Sequence, residues 1–325
     1  MCASCWDPRG QCRNVRAAIS RIGKAGASNL AALTPLPLPL CPRNYVSDPI
    51  LVVPAPAKVN LFLHVTGRRD DGYHTLESLF TLVDFADTLT LEARADGAIL
   101  RTNAVAGVPA DDDLAIRAAR ALKRAVGTRR GAAIAIDKAI PMGAGLGGGS
   151  SDAATTLLAL NRLWSLGLSR AALIEIGKTL GADVPFFLSG GTALARGIGE
   201  RLTPMTMPRT HLVLVFPGIE VATSTIFQAP ELTRSTPSAK MDVFSEGYGR
   251  NDLQGACGAR HPAVASALAA LTKLSPQARM TGSGACVFAP FAREADARNA
   301  ARALPAGHAV RVVRTLARHP LAAFA

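Results

Sequence analysis

From Ile50 onward the apolar and polar positions recur with definite periods, and before it they do not. Apolar and β-branched residues at Ile50–Val53, Lys58–Val65 and Thr88–Glu92 predict strands. The stretch Asp112–Val126 predicts a helix, acidic at its start and basic later, as the helix dipole favours. A strand is expected at Ala132–Ile136. A glycine-rich segment follows, and then Ala154, Leu157, Leu158 and Leu163 at helical spacing predict a strongly amphipathic helix ending near Gly167. Ser169 supplies an N-cap for another helix that stops at Gly181. Further strands are expected near Leu212–Phe216, Cys286–Ala289 and Val310–Arg314, with helices near Pro262–Leu274 and Glu294–Ala303. Pro204 and Pro208 place a domain boundary around residues 205 to 210, and no internal repeat is visible.

Residues 1–48 are expected to be a disordered extension. They carry scattered arginines, little periodicity and the proline-spaced run Thr34 to Pro42, which cannot continue a helix or a central strand. Two readings stay open: a basic, acid-poor transit peptide, or a true start of translation near Ile50, which is preferred because serines are few and no amphipathic face is clear. The remaining chain divides into parts of residues 49–205 and 206–325.

Composition narrows the function classes. Hydrophobic residues are 49% and charged residues 18% of the 325, a globular profile rather than a disordered one. No apolar run approaches the roughly 18 residues a membrane span needs, so the mean hydropathy of +0.21 reflects buried cores, and no membrane partner is expected. The net charge of +12 favours phosphate-bearing partners. The aromatic residues are only 5%, and neither Trp6 nor Trp164 sits in a basic cluster, so nucleic acid is not expected as a partner. Among the six cysteines, Cys2 and Cys5 form a lone CxxC with no second pair to complete a zinc site, which suits a reduced, intracellular protein without protein metal ligands.

The segment Pro141-Met-Gly-Ala-Gly-Leu-Gly-Gly-Gly-Ser-Ser151 holds five glycines between residues 143 and 149 and runs into a helix. Backbone N–H groups at a helix start can surround a phosphate only where side chains are absent, so this is a phosphate cradle, a flexible linker being the bland alternative. Gly143, Gly145 and Gly148 satisfy G-x-G-x-x-G, but a second helix lies where a dinucleotide fold needs a strand ending in an acid. Gly149 stands where a P-loop needs lysine.

This segment resembles the second motif of the GHMP kinases, the superfamily of galacto-, homoserine, mevalonate and phosphomevalonate kinases. Pro56-Ala-Lys-Val-Asn-Leu-Phe-Leu63 is similar to the first motif and Met280-Thr-Gly-Ser-Gly-Ala-Cys-Val-Phe288 to the third. The pieces Thr66–Thr75, Leu180–Phe186 and Asn251-Asp-Leu253 are similar to the branch whose alcohol substrate carries a cytidine diphosphate. The resemblance implies an α+β, two-domain fold: a ribosomal-protein-like N-terminal domain, a ferredoxin-like C-terminal domain and an active site in the cleft between them. It implies transfer of the ATP γ-phosphoryl group to the 2-hydroxyl of the substrate's methylerythritol part, within isoprenoid precursor synthesis. It also implies Mg²⁺ as the metal that ATP recruits, a monomer or weak homodimer, and a bacterial cytoplasmic location, plastid only if residues 1–48 are a transit peptide.

The same resemblance assigns roles. Asp183 matches the catalytic proton acceptor, its alternative being a cap of the next element. Lys58, in an apolar strand, needs an anionic partner when buried, and the family supplies Asp183 and the transferring phosphate; an edge lysine reaching water is the alternative. Asn60 shares its face by the two-residue period and could bond substrate near the reacting hydroxyl. Pro141, Met142, Gly143, Ala144, Gly145, Leu146, Gly147, Gly148, Gly149, Ser150 and Ser151 are assigned to ATP, the two serines to phosphate oxygens or a magnesium-bound water. Tyr73 and His74 match the cytidine pocket, by stacking and by reading the base edge, with Phe227 as the other stacking face or else a core residue. Gly282, Ser283 and Gly284 are assigned to the methylerythritol phosphate side, or else to a tight turn. Ala144 stands where the family pattern leads one to expect glycine.

Overall fold

The computed structural model describes residues 50–238 and 249–325. The extension, with Cys2, Cys5 and the proline-spaced run, lies outside them. Two long strands, β1 (Ile50–Arg68) and β2 (His74–Arg94), pair antiparallel from Ile50↔Glu92 to Arg68↔His74. They absorb three expected strands, and β1 contains Pro54 and Pro56, whose missing donors a strand with register shifts tolerates. Those shifts fall between Pro56 and Lys58, Asn60 and Phe62, and Val65 and Gly67. β3 (Ile99–Arg101) runs parallel to β4 (Gly131–Asp137), and β4 pairs with β2. β5 (Ala193–Gly197) and β6 (Arg201–Pro204), which the sequence reading missed, continue the sheet from Leu76–Phe80 of β2, on the edge away from β1 that β4 also uses.

The first core lies between this sheet and four helices: α1 (Leu114–Val126), α2 (Gly148–Leu163), α3 (Arg170–Lys178) and α4 (Val184–Ser189). Asp113 caps α1 by accepting from Ala115 N, and Ser169 caps α3 by accepting from Ala172 N. The α2 helix departs from the expected amphipathic one. Every residue from Ser151 to Asn161 is buried, because α2 is the central helix with neighbours on nearly all sides. Phe186 and Phe187 of the short α4 are completely buried in this core, each contributing about 1.5–3 kcal/mol by burial.

β7 (His211–Phe216), β8 (Arg279–Met280), β9 (Val287–Phe291) and β10 (Ala309–Leu316) form the second half of the sheet, in the order β10-β7-β9-β8. α5 (Thr223–Phe227), α6 (Leu253–Arg260), α7 (Pro262–Thr272) and α8 (Glu294–Ala303) accompany it, and Val213, Val215, Val264, Leu271 and Val287 centre the second core. Three features tie the halves. Leu63 and Val65 of β1 belong to the second core, Ala57 and Val59 join Leu212 and Leu214 in a third cluster, and β10 pairs with β2 at Thr315↔Val83 and Leu316↔Leu82. Residues from 50 onward accordingly form one compact unit, with the prolines at 204 and 208 flanking the β6–β7 connection. No helix among the described residues is long and apolar enough to cross a membrane.

Candidate active site

A cleft of about 1150 Å³ gathers the glycine loop, β1, the turn between β1 and β2, and the start of α4. Lys58 projects from the irregular part of β1 and is buried, with its backbone N–H donating to Leu146 O at 3.0 Å. Its Nζ donates to Asn60 Oδ1 at 2.6 Å, lies 5.0 Å from the Phe80 ring centre and faces Asp183 Oδ2 at 3.8 Å, an ion-pair distance rather than a hydrogen bond. Burial lowers the Lys58 pKa, and the Asp183 carboxylate works against that lowering.

The Asn60 amide orientation follows from its partners. Nδ2 donates to Ser78 Oγ at 2.8 Å, and Ser78 in turn donates to Phe62 O at 2.5 Å. Oδ1 is left for Lys58 and for the Thr281 hydroxyl at 3.3 Å. Asp183 is the residue before α4, and its side chain makes no capping hydrogen bond, so the capping alternative does not describe it. A third exposed, at 32%, it points a carboxylate oxygen toward the one buried ammonium group that lines the cleft among the described residues.

The glycine loop is held backbone to backbone against the turn at residues 281–285. Ala285 N donates to Gly143 O at 3.1 Å and Cys286 N to Ala144 O at 3.2 Å. Three positions need glycine. A Cβ on Gly143 would lie 2.9 Å from Glu220 Cβ, one on Gly145 2.3 Å from Thr281 O, and one on Gly147 would meet the Phe187 ring at 3.0 Å and Lys58 Cε at 3.3 Å; all three residues have positive φ, 62°, 74° and 70°. Ala144 has no such requirement: its methyl is buried in the cluster that joins the halves.

Residues Pro141 to Ser150 line the cleft, and Ser151 does not. Its hydroxyl donates to Pro56 O at 2.6 Å in a fully buried setting, so it is not placed to meet a phosphate. Ser150 Oγ makes no hydrogen bond among the described residues. Beside the loop, Lys138 bonds both Asp87 and Asp152, the latter at 2.8 Å. Burial works against the Lys138 charge but its two carboxylates outweigh it, raising its pKa. Burial pushes Asp152 up to about 7 despite Lys138.

At the other end of the cleft, Asp71 Oδ1 accepts from Tyr73 N at 3.2 Å in the β1–β2 turn, leaving the Tyr73 ring 63% exposed. The His74 and Phe227 rings lie 5.3 Å apart at 32°. Phe227 packs on the second core, as its core reading expects, and also lines the cleft. Gly282 and Ser283 line the cleft, and Ser283 shares a 2.7 Å hydroxyl contact with Thr223. Gly284 does not: a Cβ there would face Cys257 Sγ at 2.9 Å, behind the turn. The sequence reading missed Arg68, Lys138 and Arg234, all on the cleft wall. Lys138, beside the glycine loop, was visible in sequence; Arg234, in irregular chain, carried no signal.

A buried ammonium group and a carboxylate facing each other beside a glycine loop suit transfer of a phosphoryl group to a small molecule, and comparison with known proteins gives the class as that of the GHMP kinases. Residues 113–191 match the GHMP kinases N terminal domain and residues 234–309 the GHMP kinases C terminal domain. The chain is 56% identical over 277 residues to the 4-diphosphocytidyl-2-C-methyl-D-erythritol kinase of Cupriavidus necator, covering 84% of this chain and 95% of that one. It is 52% identical over 276 residues to the protein of that name from Azoarcus sp., covering 85% and 98%. A crystal structure of 4-(cytidine 5'-diphospho)-2C-methyl-D-erythritol kinase superposes with a TM-score of 0.73 at 37% identity, over 82% of this chain and 99% of that one. A mevalonate kinase structure shares the fold with a TM-score of 0.58 at 14% identity. The chain belongs to the GHMP kinases and, within them, to the 4-diphosphocytidyl-2-C-methyl-D-erythritol kinase family.

Proposed function

We propose that the protein transfers the γ-phosphoryl group of ATP to the 2-hydroxyl of 4-diphosphocytidyl-2-C-methyl-D-erythritol, in the cytoplasm, as a step of isoprenoid precursor synthesis. The observation that carries this reading is the Lys58–Asp183 pair at 3.8 Å on the wall of a cleft that also holds the glycine loop. Phosphoryl transfer asks a protein for position and charge more than for covalent chemistry. Asp183 accepts the proton of the substrate hydroxyl as it attacks. Lys58, anchored by Asn60, keeps one ammonium hydrogen toward Asp183, which holds the base in place, and another for the transferring phosphate, whose oxygen charge it offsets. The N–H groups of the loop and the amino end of α2 cradle the remaining ATP phosphates. We assign residues 49–205 to an N-terminal ATP-binding domain, which also gives Asn60, Tyr73 and His74 to the second substrate, and residues 206–325 to a C-terminal domain, a division supported by family matches on either side of it.

Mg²⁺ fits this reading, since it is held through phosphates and one or two protein oxygens. The unbonded Ser150 hydroxyl and the Asp183 carboxylate, both on the cleft wall, are the oxygens that would serve. When bound, the ion neutralises phosphate charge; the residues supply everything else named above. The test is ADP release by the purified protein with Mg²⁺-ATP and 4-diphosphocytidyl-2-C-methyl-D-erythritol, homoserine, mevalonate or galactose in parallel. Turnover of the cytidyl substrate alone supports the proposal. Turnover of another alcohol, with none of the cytidyl one, overturns it.

A further inference from the structure

The aromatic end of the cleft is braced by Arg234, in the irregular chain after α5. Its guanidinium makes four hydrogen bonds: Nε to His74 Nε2 at 3.1 Å, Nη1 to Leu232 O at 3.1 Å, and Nη2 to Ala229 O at 2.6 Å and Phe227 O at 3.4 Å. It therefore joins the two residues that form the base wall, through the ring of one and the carbonyl of the other.

The bond to His74 has a consequence for proton placement. A guanidinium has only donors and stays charged. His74 Nε2 must then offer its lone pair, and a neutral imidazole that accepts at Nε2 carries its single proton on Nδ1. The neutral form is the favoured one here, since burial, Arg234 and Arg68 each lower the His74 pKa. Nδ1 has no hydrogen-bond partner among the described residues and is not sealed in the interior, and the ring lines the cleft. A fixed N–H at that wall requires an acceptor on the ligand. Ring N3 of cytosine is an acceptor, whereas N3 of uracil carries a hydrogen. Two N–H groups facing each other leave both unsatisfied, a mismatch that a site built around a donor rejects strongly.

We propose that Arg234 is a positioning residue that holds His74 with its proton on Nδ1 and thereby makes the site select cytosine over uracil. The proposal rests on the reading of the cleft as a site for a cytidine diphosphate alcohol.

Two measurements test it. The first compares kcat/KM for 4-diphosphocytidyl-2-C-methyl-D-erythritol and for its uridine counterpart, in the wild type and in Arg234→Met, which keeps the apolar stem and loses every donor. The expected result is a fall of about tenfold or more in the cytidyl-to-uridyl ratio, arising from loss on the cytidyl side. An unchanged ratio, with both substrates slowed alike, means that Arg234 only braces the chain, and overturns the proposal. The second is the ¹⁵N spectrum of the His74 ring in the wild type, which needs no variant to fold. A protonated Nδ1 and bare Nε2 support the assignment, and the reverse overturns it. Wild-type protein that turns over neither pyrimidine substrate would instead overturn the function reading beneath it.

Discussion

Ser150 and Ser151 are neighbours in sequence and opposites in environment. Ser151 is completely buried with its hydroxyl on Pro56 O, while Ser150 stands on the cleft wall with its hydroxyl unbonded among the described residues. Ser151→Ala orphans a buried carbonyl and should lower stability by about 1–3 kcal/mol while leaving the KM for Mg²⁺-ATP unchanged. Ser150→Ala should do the reverse, raising that KM with little change in melting temperature. Thermal unfolding and ATP titration of the two variants check both halves. The sequence could not separate these serines, because a motif gives residue types in order and says nothing of which hydroxyl another strand has already engaged. Lys58 and Asn60 were more legible. The two-residue strand period placed them on one face, and their side chains meet at 2.6 Å although β1 shifts register on either side of them.

The glycine loop is an element whose requirements differ from one glycine to the next. Gly145 presses on the Thr281 carbonyl with a left-handed backbone, whereas a Cβ on Gly149 would meet only Leu114 Cδ1 at 3.5 Å, an ordinary contact inside α2. Gly145→Ala should destabilise the fold by at least about 2 kcal/mol, since both backbone and neighbour must move. Gly149→Ala should be neutral or stabilising by up to about 1 kcal/mol, as expected for alanine within a helix. Chemical denaturation of the pair distinguishes them. Elements with strong periodicity were legible: α8 spans the expected residues, and β4, β7 and β10 fall within a residue or two of expectation. Short elements were not. The strands β5 and β6 and the helices α4, α5 and α6 have too few residues to show a period, and packing against neighbours defines them.

Across the whole molecule, the end of the chain returns to the first core after completing the second half of the sheet. Leu321 is buried there, Arg170 donates to Ala322 O at 2.7 Å, and His319 N donates to Gly190 O at 2.7 Å. A cut of the sequence at 205–210 cannot register such a return, because it is a contact between distant residues without local pattern. His319 also gives the assembled fold an acid limit. Burial, reinforced by Arg170, holds its pKa down to about 4 from an ordinary 6.5. The unfolded chain therefore binds a proton that the folded one refuses, and stability is lost as pH falls from about 6.5 to about 4, by on the order of 3 kcal/mol. His319→Asn, whose amide oxygen can still accept from Leu321 N, should flatten that part of the stability–pH curve. The reaction, too, belongs to the whole molecule: Lys58 and Asn60 come from β1, Asp183 from the start of α4, and Thr281 from the turn after β8. The most direct test of the account is single-turnover phosphoryl transfer from Mg²⁺-ATP to 4-diphosphocytidyl-2-C-methyl-D-erythritol by the wild type and by Asp183→Asn. The account predicts a rate lower by about 10²–10⁴ in the variant, whose amide can take no proton from the attacking hydroxyl. Transfer at the wild-type rate by Asp183→Asn would contradict it.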